Sequence, residues 1–223
     1  MVDVSSTSKD NKFRRDRILL LKSLVDHVLK EQDRCNIIDV GGTNGFWHTW
    51  RDFFDFSRVS IVCVNFDPGH ADFGEGNPAV VMRQGDARDL SFAADGAYDI
   101  AFSNSVIEHV GRWVDMERMA DEVRRVARRY LVQTPYFWFP IEPHARTAFL
   151  HWLPESLRYR VLLHRTCGFW RRQNNVRDAV RTIQDASMLD IAQMASLFPD
   201  ATIRKERFMG LVKSVIAIKE LPT

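Results

Sequence analysis

The sequence predicts an α/β fold with a seven-stranded, mostly parallel sheet, helices on both faces and an antiparallel last strand. Short apolar runs alternate with helix-like segments between residues 12 and 135, and that alternation is typical of parallel sheets. The last two apolar runs are divided only by Met209 and Gly210, a gap that permits only an antiparallel pair. A chain of 223 residues, 45% of them hydrophobic, is long enough to bury one sizeable core.

The predicted elements follow this pattern from the first helix onward. Residues 12–30 are expected to form an amphipathic helix, because their apolar positions recur at spacings of three, four and five. Five strands are predicted next, in the runs CNIIDV, VSIVCVNFD, AVVMRQGD, YDIAFS and RYLVQTP. Further helices are predicted in FWHTWRDFF and at residues 114–127 and 188–197. The runs ATIRKERF and LVKSVIAIKE supply the final hairpin.

One segment, residues 136–185, breaks the alternation. It opens with YFWFPIEPH and follows the carboxyl end of the fifth strand, where long insertions commonly cover ligand sites. We therefore expect a helical lid over a substrate pocket, with TAFLHWL and RVLLHR as short amphipathic helices. The polar residues 1–11 are predicted to be a flexible tail, and residues 12–223 to form one domain.

Composition excludes several classes of protein. A formal charge of +2 is too small to indicate a nucleic acid or an anionic membrane as partner. Three widely spaced cysteines without a CxxC pair indicate neither a disulfide framework nor a thiolate zinc site. No apolar run approaches the roughly 18 residues of a membrane span, and the first residues lack the apolar core of a secretory signal. We therefore expect a cytoplasmic protein without a transmembrane segment.

The most informative short stretch is NIIDVGGTNGFW, in which the first strand runs into a glycine-rich turn. Asp39 precedes Gly41, Thr43 and Gly45, which stand at alternate positions. Such a turn presents backbone N–H groups and the start of a helix to a ligand, and glycine lets the ligand approach the main chain. The spacing differs from the GxGxxG pattern of dinucleotide sites.

Four stretches in order resemble the motifs of class I S-adenosylmethionine-dependent methyltransferases, over about residues 36–135. They are the glycine turn, VCVNFDP, GDARDL and YDIAFSNSVIEHV. The chain is most similar to the type 11 group, which includes enzymes of ubiquinone and menaquinone biosynthesis. The resemblance implies a Rossmann-like sheet, S-adenosyl-L-methionine as cofactor, and methyl transfer by in-line displacement.

For the first motif, the resemblance implies that the turn holds the methionine part of the cofactor. Asp39 is expected to take the cofactor's ammonium group, directly or through the loop backbone. Gly41 and Gly45 are expected to let the methionine portion lie against the chain. Thr43 stands where the family most often has its middle glycine, which makes the predicted pocket less open.

The other motifs place the rest of the cofactor. Asn65 occupies the position of the acid that normally binds the two ribose hydroxyls, with Asp67 expected on the same strand face. Because an amide carries no charge, Asn65 should hold a ribose less strongly than a carboxylate. Asp86 is expected to accept from the adenine amino group and Ala87 to offer its backbone N–H to the ring. The carbonyl of Ser103 is expected near the methionine part.

Two histidines next to acidic residues are candidates for the general base. His109 follows Glu108, and His144 lies two residues after Glu142. Histidine titrates near neutrality and can take a proton from a hydroxyl acceptor. Because two such pairs are expected to flank the methyl group, O-methylation of a small molecule is slightly preferred over N- or C-methylation. Glu108 is also a candidate substrate-binding residue.

The start of the insertion predicts an aromatic substrate wall. Tyr136 and Trp138 are the candidate substrate-binding side chains, with Phe137 and Phe139 beside them. An aromatic wall suits a planar ring, a sugar face or a lipid tail. The expected partner is therefore a small molecule of one of these kinds; oligomeric state is left open.

A metal site is the less favoured interpretation of the same region. Some related quinone-pathway and RNA-end methyltransferases bind a divalent ion through an acid followed, three and four residues later, by Glu-His. Here Ser105 stands at the first position, so that only Glu108 and His109 match, with Glu142 and His144 as further candidates. Because two certain ligands do not close a site, no metal is predicted.

Other functions compete with small-molecule methylation. A nucleic-acid methyltransferase is one alternative, although SNSV differs from the Asn-Pro-Pro-aromatic motif used on exocyclic amines of bases. A catalytically inactive cofactor-binding or scaffold protein of the same fold is another, favoured by Thr43 and Asn65. A short-chain dehydrogenase is excluded, because no Tyr has Lys four residues later.

Overall fold

A computed structural model of the chain describes residues 12–67 and 77–220. The predicted tail, residues 1–11, lies outside the described residues. The described helices are α1 (Lys12–Glu31), α2 (Asn44–Thr49), α3 (Trp113–Val126), α4 (Glu155–His164), α5 (Val176–Gln184) and α6 (Ile191–Leu197). The described strands are β1 (Cys35–Val40), β2 (Val59–Asn65), β3 (Val80–Gln84), β4 (Tyr98–Asn104), β5 (Ala127–Pro135), β6 (Ile141–Glu142), β7 (Thr147–Ala148), β8 (Thr202–Phe208) and β9 (Leu211–Lys219).

The main sheet has seven strands in the order β3-β2-β1-β4-β5-β9-β8. Strands β1 to β5 pair in parallel, and β9 runs antiparallel between β5 and β8. The predicted seven-stranded, mostly parallel sheet with an antiparallel last strand is therefore confirmed. Strand order reverses between β1 and β4, and in open α/β sheets ligands bind in the crevice at such a switch point.

Helices cover both faces of this sheet, as predicted. On one face, α1 and α2 bury apolar side chains that include Ile18, Leu21 and Trp47. On the other face, α3 and α6 bury a second set that includes Met119, Val123 and Met194. Among the described residues, no helix combines the length and the apolar character needed to span a membrane.

A buried arginine fixes α1 against the sheet. Arg17 is 8% exposed, and its Nε donates to Glu206 on β8 at 2.8 Å. Its Nη1 donates to Asn104 and Gln133, at the ends of β4 and β5, at 2.5 and 2.7 Å. Because these bonds join three strands to one helix, they hold α1 next to the carboxyl edge of the sheet.

The insertion forms a small layer of its own. Strands β6 and β7 pair as a two-stranded antiparallel sheet, and α4 and α5 share a separate apolar cluster that includes Leu162, Ala179 and Ile183. The run RVLLHR lies in α4 except for its last residue, Arg165, but the predicted helix over TAFLHWL is wrong. It contains β7 and one 3₁₀ turn, Leu150–Trp152, because Phe149 has φ +61° and interrupts any right-handed helix.

Candidate functional site

An open cleft of about 230 Å³ lies at the switch point of the sheet. Five residues that the sequence predicted for the site line it: Gly41, Asn65, Asp86, Ala87 and His109. They lie at or just after the carboxyl ends of β1, β2, β3 and β4, which meet because the strands are parallel. The side chains of the protein therefore leave room at the edge where the sequence placed the ligand.

The glycine turn requires its glycines for steric reasons. Gly41 has φ +83°, and a Cβ there would lie 2.3 Å from Cγ2 of Val106. A Cβ at Gly42 would lie 2.1 Å from Oδ2 of Asp39. Both distances are shorter than any real contact, so the loop can pass this close to its neighbours only without side chains. The result is a bare backbone surface facing the cleft at Gly41.

Thr43 has a local structural role that explains why it replaces a glycine. Its Oγ1 accepts a hydrogen bond from the N–H of Phe46 at 3.2 Å, which makes Thr43 the N-cap of α2. Gly45 lies inside α2, where its carbonyl accepts from Thr49. Neither residue is among those that line the cleft.

Asp39 lies beneath the turn rather than in the cleft. It is 2% exposed, and its Oδ2 accepts a hydrogen bond from the indole N–H of Trp47 at 2.8 Å. Burial raises the pKa of Asp39 to about 7, although the bond from Trp47 opposes the shift. A cation bound at the turn would therefore favour ionisation of this carboxyl. Trp47 was not predicted as its partner, although an aromatic residue eight positions later was visible in the motif.

The end of β2 differs in part from the sequence prediction. The amide nitrogen of Asn65 donates to the carbonyl of Gly42 at 3.3 Å, so its oxygen is the atom suited to accept a ribose hydroxyl. Asp67 lies beyond the last residue of β2, and the prediction that it shares a strand face with Asn65 is wrong because the strand has already ended. Phe66, which the sequence analysis missed, lines the cleft and is 74% exposed. An aromatic face there can stack on a planar base.

Asp86 is held by a residue that the sequence analysis also missed. Arg88 donates from Nε and Nη2 to the Asp86 carboxylate at 2.9 and 2.6 Å, and its backbone N–H donates to Oδ1 at 2.9 Å. These hydrogen bonds hold the pKa of Asp86 below its ordinary value. Asp86 is therefore an ionised acceptor at neutral pH. The signal was present in GDARDL, where the basic residue follows the acid by two positions.

The other end of the cleft is formed by the 3₁₀ turn Ile107–His109 after β4. His109 lines the cleft, and its Nδ1 lies 2.8 Å from the backbone oxygen of Asp185. The rings of His109 and His144 make an edge contact, with centroids 4.9 Å apart. Residue 109 is therefore the point at which the cleft meets the insertion.

His144 is oriented by Glu142 on β6. Glu142 is 2% exposed; its Oε1 lies 2.7 Å from Nδ1 of His144, and its Oε2 accepts from the N–H of Ala145. Burial raises the pKa of Glu142, but the bonds from His144 and Ala145 outweigh it and lower the pKa overall. Burial lowers the pKa of His144, but the bond and charge of Glu142 outweigh it and raise the pKa overall.

Glu108 is the most deeply buried acid at this end. It is 1% exposed, and its Oε2 accepts a hydrogen bond from Oγ1 of Thr134 at 2.9 Å. Its Oε1 has no hydrogen-bond partner among the described residues. Burial is the main cause that raises the pKa of Glu108. An oxygen left in this state is costly unless something else binds it.

Three further predicted residues do not line the cleft. Tyr136 packs against the main core, and its backbone N–H donates to Lys213 at 3.0 Å. Trp138 is 56% exposed, and its ring contacts Phe137 and Trp152. Ser103 is buried, and its Oγ donates to the carbonyl of Val40 at 3.0 Å. The aromatic wall predicted at the start of the insertion is therefore split between core and surface.

The family model of the type 11 methyltransferase domain matches residues 38–130. The chain is similar to this methyltransferase domain over 93 of its 223 residues. Its matched residues run from β1 to β5 and include the glycine turn, Asn65, Asp86 and the turn that carries His109. A search of curated proteins gives no match.

Solved structures of methyltransferases share the fold of this chain. An S-adenosylmethionine-dependent methyltransferase from Methanosarcina mazei is 13% identical, with TM-score 0.51. The alignment covers 86% of this chain and 95% of the Methanosarcina chain. The N-methyltransferase NodS from Bradyrhizobium japonicum WM9 is 10% identical, with TM-score 0.52 and coverages of 95% and 97%. The carbon methyltransferase CurJ is 10% identical, with TM-score 0.52. The alignment covers 90% of this chain and 53% of the CurJ chain.

The cofactor of this methyltransferase is S-adenosyl-L-methionine. The residues present fit it on two structural grounds. The cradle at Gly41 and Gly42 is one that a Cβ would fill, and the raised pKa of Asp39 marks a carboxyl that a nearby cation would ionise. When bound, the cofactor supplies a methyl group already activated by its sulfonium.

Proposed function

We propose that residues 12–223 form one methyltransferase domain that transfers the methyl group of S-adenosylmethionine to a hydroxyl group of a small molecule. One observation carries this proposal: His109 lines the end of the cofactor cleft and contacts His144 of the insertion. The cofactor cleft therefore runs into a second polar site made by a different part of the chain. Two adjoining sites are what a reaction between two substrates needs.

The cofactor would lie along the carboxyl ends of the strands. Its amino acid end would face the bare backbone at Gly41, with Asp39 beneath it, and the Ser103 carbonyl would lie near the methionine part. Its ribose would meet Asn65, and its purine would meet Asp86 and Ala87. This orientation directs the sulfonium toward His109, because the ribose and purine contacts occupy the opposite end of the cleft.

The chemistry requires alignment more than activation. The bound cofactor would supply an activated methyl group. The acceptor hydroxyl would lose its proton as its oxygen bonds to the methyl carbon, and the electron pair of the broken carbon–sulfur bond would stay on sulfur. Holding the two reactants in line contributes about 7 to 11 kcal/mol to such a step. His144 is suited to the proton transfer, because Glu142 binds its Nδ1 and so directs Nε2 away from Glu142.

Enclosure of the acceptor site supports a small molecule rather than a macromolecule. Glu108 and Glu142 are almost fully buried, and the His144 side chain is 22% exposed. The insertion, residues 136–185, supplies His144 from its first hairpin and Asp185 from its last residue, so both of its ends lie at His109. We infer that this segment acts as the lid of the acceptor site. We propose that Trp138, which is exposed on the same segment, contacts a ring of the acceptor.

A two-part experiment tests the proposed function. Calorimetry with S-adenosylhomocysteine should give one saturable site, and incubation with isotopically labelled S-adenosylmethionine and a panel of phenols, sugars and lipid-linked alcohols should transfer label to a hydroxyl. Binding without transfer to any hydroxyl, but with transfer to an amine or carbon acceptor, would overturn the O-methylation assignment. No binding at millimolar cofactor would leave only a scaffold role.

A further inference from the structure

We propose that Glu108, His109 and His144 bind one divalent transition-metal cation at the acceptor end of the cleft. One ligand atom from each of the three side chains lies within 4.8 Å of the other two. Two imidazoles and one carboxylate are a ligand set that zinc and other first-row divalent ions use in catalytic sites. The sequence motif offers only two certain ligands here, and the fold brings the third from the insertion.

The Nδ1 atoms of both histidines already have oxygen partners. Nδ1 of His109 faces the backbone oxygen of Asp185 at 2.8 Å, and Nδ1 of His144 faces Oε1 of Glu142 at 2.7 Å. A neutral imidazole whose Nδ1 donates to an oxygen keeps its lone pair on Nε2. Metal-binding histidines are commonly fixed in this way, by a carboxylate or a carbonyl on the ring nitrogen that does not bind the ion.

The carboxylate of Glu108 provides an independent indication of a missing ligand. Thr134 holds Oε2 at 2.9 Å, whereas Oε1 is buried and has no hydrogen-bond partner among the described residues. An unpaired carboxyl oxygen in a protein interior carries a desolvation cost that no hydrogen bond offsets. A cation shared with the two imidazoles would remove that cost.

The site would keep an open coordination position. Ser105, the nearest further candidate by sequence, turns its hydroxyl to Oε1 of Gln133 at 3.0 Å. Three protein ligands with one position left for water or substrate are typical of catalytic rather than structural sites. Bonds of about 2.1 Å would hold neighbouring ligand atoms roughly 3.4 Å apart, so rotation of the side chains would close the cluster around an ion.

Such an ion would activate the acceptor hydroxyl in the proposed reaction. This role, unlike the binding itself, rests on the proposed function. The acceptor oxygen would take the open position, where the cation lowers the pKa of its hydroxyl. The hydroxyl proton would leave to solvent, and the oxygen would attack the methyl carbon while the sulfonium keeps the electron pair. The two imidazoles would then act as ligands, with their lone pairs no longer free to take a proton.

Metal binding is testable with Zn²⁺ alone. The full chain, stripped with a chelator, is titrated with zinc by calorimetry, and the cobalt form is examined by visible absorption. We expect one ion per chain, with binding at least 10-fold weaker in both Glu108→Gln and His144→Gln. His164→Gln is the matched control, because His164 is an exposed histidine at the end of α4 in the same insertion, and it should bind zinc as the unchanged protein does.

Each outcome decides a separate question. Absence of saturable zinc binding, or equal binding by His144→Gln and the unchanged chain, would overturn the metal site. Circular dichroism and S-adenosylhomocysteine binding show that each variant is folded, and a zinc anomalous peak in soaked crystals should lie between the three side chains. Zinc binding without methyl transfer to any acceptor would overturn the proposed function and support the metal site. Transfer that persists in the chelated, metal-free protein would limit the ion to a structural role.

Discussion

The two ends of the cleft differ in how their polar groups are held. At the cofactor end, Asp86 is held by Arg88, two positions away. At the acceptor end, the pair of Glu142 and His144 is also local, but His109 is held by Asp185 from 76 positions away. The first kind of contact forms as soon as a strand and its turn form. The contact between Asp185 and His109 exists only when the insertion has packed onto the sheet, so the acceptor end is complete only in the tertiary structure.

The largest expected effect is at the cofactor end. Gly41→Ala should weaken S-adenosylhomocysteine binding at least about 100-fold, because the added Cβ would lie 2.3 Å from Val106 and a positive φ adds about 1–2 kcal/mol of strain. Gly210→Ala is the control, since Gly210 has the same φ, +83°, and open space around its Cβ position. It should lose stability without losing cofactor affinity. The double variant Gly41→Ala, Val106→Ala should recover part of the affinity, and no recovery would argue against the steric explanation.

A change at the acceptor end should lower turnover and leave cofactor affinity unchanged. Glu142→Gln should lower turnover on a hydroxyl acceptor by about 10- to 100-fold, because the amide binds His144 less strongly and allows its ring to turn. Affinity for S-adenosylhomocysteine, measured by calorimetry, should stay unchanged. Glu155→Gln, at the start of α4, is the control and should change neither quantity. A loss of cofactor affinity in Glu142→Gln equal to its loss of turnover would show that the two ends are not separate.

The pH dependence of cofactor binding should report on Asp39. Its pKa is raised to about 7 in the folded chain, so the stability that its protonated form contributes is present below about pH 4 and is lost as the pH rises through 7. The loss amounts to about 4 kcal/mol in the free energy of unfolding. Binding of the cofactor's ammonium should tighten over the same rise, because the ionised carboxylate attracts it.

Asp39→Asn isolates this effect. The variant should gain stability relative to the unchanged chain, and this gain in the free energy of unfolding, measured with denaturant, should be larger at pH 8 than at pH 5. The cofactor affinity of the variant should vary little with pH. An unfolding free energy whose pH dependence is the same in both proteins would show that Asp39 is not the group responsible.

The smallest effect is expected at the exposed aromatic cluster of the insertion. Trp138→Ala should raise the KM for a ring-bearing acceptor a few-fold while changing the free energy of unfolding by less than about 0.5 kcal/mol, since Trp138 is 56% exposed. Trp113→Ala, at the start of α3, is the control and should leave the KM unchanged. Equal KM values for Trp138→Ala and the unchanged protein would place the acceptor elsewhere.

The same contrast explains how much the sequence could predict. The seven strands, the turn at Gly41 and the cleft positions of Asn65 and Asp86 follow from periodicity and ordered motifs, which are local. The meeting of His144 with Glu108 and His109 does not, because residues from a separate hairpin must pack onto the 3₁₀ turn after β4. The predicted helix over TAFLHWL failed for a related reason: the left-handed conformation of Phe149 has no signal in residue type.

The crystal structure of the chain with S-adenosylhomocysteine tests the central claim most directly. We expect the purine against Asp86 and Ala87, the amino acid end at the Gly41 turn above Asp39, and the sulfur directed toward His109 and the insertion. A ligand bound in the reverse orientation, or a cleft that stays empty at millimolar ligand, would contradict the account.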